Sequence, residues 1–185
     1  MKICWVIADQ AYLDPTVDIF RLKNIGPFWG GWRTWRSWNT DNVVCHRSDE
    51  AAHLVEKNFH TKCNLYLPAT VAEQIQVPPG IRLYQGSFHQ EVDQPDEIVS
   101  MHLASAHNDI VLLYGFDLRP KNFNEGEAKL KWHNFKNYVK HIFVGNTNVQ
   151  WVILDHSPDL ESELQGIDNI QFDTVANIVA QFGNK

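Results

Sequence analysis

The sequence of 185 residues lacks the two glycine patterns that most often mark nucleotide sites, G-x-G-x-x-G and G-x-x-x-x-G-K-[S/T]. This absence argues against a standard dinucleotide fingerprint and against a P-loop. Long apolar runs are missing as well, because the first run has about six apolar residues before Asp9, too few for a signal peptide or a membrane span. We therefore expect a cytoplasmic protein without a membrane segment.

Positive charge and cysteine are also scarce. The chain has 16 Lys and Arg against 22 Asp and Glu, and its net charge of −6 argues against a protein that follows a nucleic-acid backbone. A small anionic ligand stays compatible with this charge, since two well-placed arginines act locally. Cys4, Cys45 and Cys63 form no C-x-x-C pair, which predicts reduced thiols in a cytosolic protein. The nine histidines lack the usual spacing of metal ligands, so no metal site is predicted.

Short apolar runs alternate with helical patterns along the whole chain. Seven strands are predicted, over residues 3–8, 43–45, 65–67, 81–84, 110–114, 149–154 and 170–172. Helices are predicted after Ser48, at a capping box formed by Thr70 and Glu73, over 98–106, from about 125 to 143, after Ser157 and after Thr174. The alternation predicts one α/β domain over residues 1–185, a three-layer Rossmann-like fold with a mostly parallel sheet of six or seven strands.

The segment from about residue 24 to 42 is unusually rich in Trp, Arg and Gly. Four of the seven tryptophans, Trp29, Trp32, Trp35 and Trp38, follow each other at three-residue spacing. We interpret the segment as an insertion, because its helical periodicity is weak. Indole and guanidinium groups stack planar rings, and arginines and glycine backbone bind anionic oxygens. A nucleotide or nucleotide-sugar site is therefore predicted at Gly30, Gly31, Trp32, Arg33, Trp35 and Arg36. Packing of the tryptophan rings against the sheet edge or in a dimer contact is the alternative, and it stays open.

A second group of candidates follows the predicted strands. In parallel sheets, ligands bind beyond the carboxyl ends of the strands. The residues at these ends are Asp9, His46, Pro68, Gly86, Asp117, Asp155 and His156. Of these, Asp9, Asp117, Asp155 and His156 are the candidates for proton transfer. Turn chemistry alone explains many Asp and Gly residues at strand ends, so this alternative stays open.

The strand over 110–114 ends in Gly115, which allows a sharp turn, and is followed by Asp117 and Arg119. With the later strand at 151–154 and the turn Asp-His-Ser-Pro at 155–158, the stretch from 98 to 182 resembles the Rossmann-like core of motility accessory factor and sialyltransferase-like proteins, including relatives in bacteriophage genomes. This resemblance implies a nucleotide-sugar donor and transfer by direct displacement, with His156 or Asp117 as the base. Gly115 and Arg119 are further ligand-binding candidates.

Two interpretations of function remain open at this point. The first is a nucleotide or nucleotide-sugar binding protein with a glycosyltransferase-like activity at the carboxyl edge of the sheet. The second is a non-catalytic module that binds a partner protein or forms a homodimer through an exposed tryptophan loop.

Overall fold

The computed structural model describes residues 1–8, 18–85, 95–116, 126–156 and 158–183. Eight strands lie in these ranges: β1 Ile3–Ile7, β2 Phe28–Gly31, β3 Asn42–Val44, β4 Asn64–Pro68, β5 Arg82–Tyr84, β6 Ile110–Tyr114, β7 Gln150–Leu154 and β8 Ile170–Asp173. They form one sheet in the order β5-β4-β3-β2-β1-β6-β7-β8, and every pair of neighbours is parallel. The prediction of an α/β Rossmann-like fold is confirmed, with one strand more than the sequence indicated.

The strand order contains one reversal of direction. From β1 the chain adds strands outward to β5, then returns to place β6 on the free side of β1 and adds β7 and β8 beyond it. Ile3 to Ile7 therefore pair with Ile110 to Tyr114 in register. In sheets of this kind the carboxyl ends of the two strands at the reversal flank the crevice where ligands bind.

Helices cover both faces of the sheet. Their bounds are α1 Ile19–Ile25, α2 Trp32–Trp38, α3 Ser48–Glu56, α4 Ala69–Ala72, α5 Pro95–Ser105, α6 Glu127–Gly145, α7 Pro158–Glu163 and α8 Val175–Phe182. Apolar residues of α5, α6 and α7 form one core cluster with one face of the sheet. The helices α1 and α8 form a second cluster on the opposite face, and α3 and α4 a third around β3 and β4. Within the described residues, no helix is both long and apolar enough to cross a membrane.

Local signals predicted some helix starts correctly and others wrongly. Thr174 caps α8, since its hydroxyl accepts a hydrogen bond from the backbone N–H of Asn177 at 3.2 Å. The capping box at Thr70 is wrong, because α4 begins at Ala69 after Pro68 and has no side-chain cap. Thr70 lies inside this one-turn helix and not before it.

The tryptophan segment is not an insertion, and this part of the prediction is wrong. Phe28–Gly31 forms β2, an inner strand paired with β1 and β3, and the chain then turns directly into α2. Gly30 allows this close packing, because a Cβ at its position would lie 3.0 Å from the carbonyl oxygen of Ile7 and 3.1 Å from the Cβ of Thr34. Gly30, one of the glycines that suggested a loop, is therefore the residue that lets α2 lie close to the sheet.

The tryptophan rings themselves pack within the fold. Trp29 and Trp38 are buried, and Trp38 lies edge-on to Phe28 and Tyr114. Trp35 packs edge-on against Phe59, with a centroid separation of 4.5 Å, and Trp32 packs on the cluster formed with α3 and α4. The four tryptophans therefore lie in β2 and α2 and not in a loop, and Trp32 and Trp35 are half-buried. The interaction-module interpretation stays a prediction.

Candidate functional site

The carboxyl edge of the sheet is the part of the molecule in which the sequence places most candidate residues. Asp9, Asp117 and Arg119 lie outside the described residues, so their predicted roles stay predictions. The described part of this edge includes the turns after β2, β3 and β7 and the first residues after β6. Charged side chains concentrate in two places there, after β2 and β3 and after β7.

His46, two residues after β3, is held by a carboxylate from another layer. The backbone N–H of His46 donates to Oδ1 of Asp96 at 3.1 Å, and the Nδ1 atom of the ring lies 2.8 Å from the same oxygen. Asp96 belongs to the first turn of α5, and its side chain is only 10% exposed, against 29% for His46. Since a carboxylate accepts hydrogen bonds, the contact favours the tautomer with the proton on Nδ1 and leaves Nε2 as an acceptor.

The surroundings of this pair are buried and polar. Glu97 and Ser100 on α5 are almost fully buried, and so is Tyr84 at the end of β5. Burial, followed by the nearby carboxylate of Asp96, raises the pKa of both the Cys45 thiol and the Tyr84 hydroxyl above their ordinary values. Cys45 is therefore a protonated structural thiol and not an activated nucleophile.

Three arginines surround the ends of β2 and β3. The guanidinium nitrogens of Arg33 and Arg47 lie 3.6 and 3.9 Å from the same oxygen, Oε1 of Glu50. Arg47 also binds Asp49 through two hydrogen bonds, and these lower the pKa of that carboxyl group. The guanidinium of Arg36 lies over the ring of Trp32, with 4.1 Å between Cζ and the ring centroid.

We call Arg33, Arg36 and Arg47 the arginine cluster. The Arg33 side chain is 64% exposed and that of Arg47 50%, so both guanidinium groups are accessible to a ligand. This outcome differs from that of the indole rings beside them, which mostly contribute to the core. Gly31 ends β2 as a buried residue immediately before α2, and Gly30 is buried beside it.

The second place is the turn after β7. Asp155 is exposed and adopts a left-handed conformation with φ of +51°, as does Gly115 after β6 with φ of +78°. The Nε2 atom of His156 lies 2.7 Å from Oε1 of Glu161 on α7, and its ring packs against Phe172 at 4.4 Å between centroids. His156 is thus mostly covered, and it is paired with a carboxylate that is 56% exposed.

The two histidine sites are too far apart to act on one bond. Four strand spacings separate β3 from β7, and at about 4.8 Å each the two strands lie about 19 Å apart. Both places lie near the reversal, since β2 and β3 are the first and second neighbours of β1 and β7 is the first neighbour of β6. The described part of the chain has no group of three or more His, Cys, Asp or Glu side chains that could hold a metal ion.

Sequence reasoning missed Asp96 and Arg47. Asp96 is 50 residues from His46, and neither periodicity nor spacing connects them. A signal was present in the pair Asp96-Glu97 next to Pro95, because acids in the first turn of a helix stabilise it and also point to the strand ends. Arg47 directly follows His46, which the sequence places at the end of a strand, so its position was the signal for a candidate ligand-binding residue.

Comparisons with known proteins add no relative: no protein-family model, curated protein or solved structure matches this chain.

Proposed function

We propose that the protein binds a nucleotide or nucleotide-sugar at the carboxyl edge of the sheet, at the ends of β2 and β3, and that His46 transfers a proton there. The observation that supports this most directly is an oriented imidazole at the end of β3, directly before Arg47 of the arginine cluster in the chain. Arginine binds phosphate oxygens in a bidentate manner, and an imidazole held by a carboxylate is the usual general base of proteins.

The arrangement of the arginine cluster suggests which part of the ligand each arginine binds. Arg33 and Arg47 share Glu50 and therefore lie close enough together to bind the same phosphate group or two adjacent ones. The guanidinium of Arg36 is held flat over Trp32, and base rings stack on guanidinium planes. Phosphates are therefore assigned to Arg33 and Arg47, and the base to Arg36.

The proposed reaction is transfer of the sugar from its nucleotide. Nε2 of His46 accepts the proton of an acceptor hydroxyl, while Nδ1–H stays hydrogen-bonded to Asp96 and so stabilises the imidazolium. The deprotonated oxygen attacks the anomeric carbon, and the bond from this carbon to the phosphate oxygen breaks. The departing phosphate keeps the electron pair and is stabilised by the guanidinium groups of Arg33 and Arg47.

The test separates binding from proton transfer. The folded protein is titrated with cytidine, uridine, guanosine and adenosine phosphates and with their sugar conjugates, and the melting temperature is measured. A ligand at about 100 times its Kd stabilises the protein by about 2.7 kcal/mol. We expect a stabilising ligand in this panel, and we expect Arg33→Ala with Arg47→Ala to weaken it about tenfold or more, since charged hydrogen bonds contribute about 1.5–3 kcal/mol.

His46→Gln is expected to keep the affinity and to lower the release of free nucleotide from the bound sugar donor by about 10²–10⁴-fold. Arg21→Ala on α1 and His53→Gln on α3 are matched controls, because both residues are exposed and neither belongs to the site. No stabilisation by any member of the panel at millimolar concentration contradicts the proposal. Equal affinity of wild type and the double arginine variant does so too.

A further inference from the structure

A cavity of about 430 Å³ lies on the face of the sheet that α5, α6 and α7 cover, between α5, α6 and the end of β5. This volume is within the range of about 300–1,000 Å³ that small-molecule sites occupy. Ile98, Val99 and Leu103 of α5 and Ile142 of α6 form much of its wall. We call it the α5–α6 cavity. None of its lining residues belongs to the arginine cluster or to the pair His46 and Asp96.

The polar groups of the wall can donate hydrogen bonds, and none of the described lining residues is acidic. His102 and His141 contribute exposed imidazoles from the two helices. Tyr84 is only 7% exposed, and its buried hydroxyl makes no hydrogen bond with any other described residue. A buried hydroxyl without a partner is costly, so an acceptor atom in the cavity would remove an unfavourable term.

The charge of α6 differs in sign from that of the whole chain. Its residues Glu127–Gly145 contain four lysines, two histidines and one acid, although the protein has a net charge of −6. Lys136 and Lys140 contact Glu163 on α7, which neutralises part of this charge on one side of the helix. The potential around the cavity is thus expected to favour an anion.

We propose that the α5–α6 cavity binds a small apolar carboxylate. The apolar chain lies between Val99, Leu103 and Ile142, and the carboxylate accepts hydrogen bonds from the hydroxyl of Tyr84 and from the imidazole groups of His102 and His141. Apolar walls supply most of the burial, and a few donors fix the charged end, which is the usual division in ligand sites. A cation of the same length has no acidic partner among the described lining residues, and Asp96, whose carboxylate lies near the Tyr84 hydroxyl, is bound by His46.

The experiment uses octanoate as the probe and compares it with octylammonium and octanamide, which have the same chain and a positive or neutral head. Amide signals of the full chain are followed by two-dimensional NMR during each titration. We expect saturable shifts with octanoate, concentrated in residues 98–103 and 138–146. We expect octanoate to bind at least about tenfold more tightly than octylammonium, as befits charge-assisted hydrogen bonds.

Three variants test the assigned contacts. Tyr84→Phe is expected to keep the stability of the free protein and to weaken octanoate about tenfold, because the hydroxyl gains its partner only from the ligand. His102→Gln with His141→Gln is expected to weaken octanoate by a similar factor, while His107→Gln, an exposed histidine outside the cavity, leaves it unchanged. Gly145→Leu fills the space, since a Cβ there meets no atom within 4 Å, and is expected to block binding without loss of stability.

Saturable binding that these variants weaken supports the proposal. The proposal is overturned if octanoate causes no saturable shift in these two stretches, or if octylammonium or octanamide binds as tightly. It is also overturned if both Tyr84→Phe and the double histidine variant retain the octanoate affinity of the wild type while the melting temperature shows that they are folded.

Discussion

His46 and His156 represent the same chemistry in two different settings. Each follows a parallel strand, and each has a ring nitrogen within 2.8 Å of a carboxylate oxygen. The partner of His46 is 50 residues away, on a helix of another layer, and is largely buried. The partner of His156 is five residues away, on the next helix, and is largely exposed. The tertiary fold holds the first pair, whereas local sequence and solvent determine the second.

This difference bears on which site is prepared for chemistry. A buried carboxylate interacts more strongly with an imidazole than an exposed one, because solvent and salt screen it less. Asp96 also binds the backbone of His46, so the ring and its chain are fixed together. For this reason we assign proton transfer to His46, although the sequence alone favoured His156.

The largest effect is expected from alkaline pH, which acts on the surroundings of His46. The buried Cys45 thiol keeps its proton in the folded state above its ordinary pKa of about 9, where the unfolded chain loses it. The contribution of each such thiol to the free energy of unfolding is thus fully present below about pH 9. As the pH rises further, the free energy of unfolding falls by up to about 1.4 kcal/mol per pH unit for each such thiol. Urea unfolding between about pH 8 and 10.5 measures this slope.

The comparison gives this prediction its control. Cys45→Ala is expected to reduce the pH slope of the free energy of unfolding by the amount that one proton contributes. Glu161→Gln, at the partner of His156, is expected to leave this slope unchanged. Cys63, whose pKa burial raises to about 12, contributes in the same direction in both variants. An identical slope in wild type and Cys45→Ala contradicts the assignment of a buried, protonated thiol.

Removing each carboxylate in turn tests the contrast directly. Asp96→Asn removes the charge from an acceptor of two hydrogen bonds. We expect it to lower the free energy of unfolding by about 2–3 kcal/mol, since hydrogen bonds to charged groups contribute stability of this order. Glu161→Gln is expected to cost less than about 1 kcal/mol, and to cost less still at high salt. The two variants are compared by chemical denaturation at low and high ionic strength, and equal costs would remove the distinction between the two sites.

The smallest effect concerns the backbone before His156. Asp155 has a left-handed conformation, which a β-branched residue tolerates poorly. Asp155→Val is expected to cost about 1–2 kcal/mol, whereas Asp155→Gly should be neutral or slightly stabilising. Thermal unfolding measures both changes. A valine variant as stable as the glycine variant would show that local backbone geometry does not determine this turn.

The sequence predicted what depends on local pattern and missed what depends on distant contacts. The run at 110–114 is apolar on both faces, and at 170–172 two apolar residues flank Gln171, so both strands were predicted nearly to the residue. The strand β2 was missed because two glycines in Phe28–Gly31 look like a loop until the closeness of Ile7 and Thr34 is known. The contact of His46 with Asp96 needs the return of α5 across the sheet, which no window of sequence contains.

The pairing of β1 with β6 has a consequence for folding during synthesis on the ribosome. The backbone N–H of Lys2 donates to Asp109, 107 residues later, at the start of this pairing. A ribosome needs roughly 5–20 s to add that many residues, at about 5–20 residues per second. During this interval β1 to β5 can pair in the nascent chain, but the edge of β1 that later binds β6 is unpaired. The strand that a chaperone would have to protect during this interval is β1, which is an inner strand of the complete sheet.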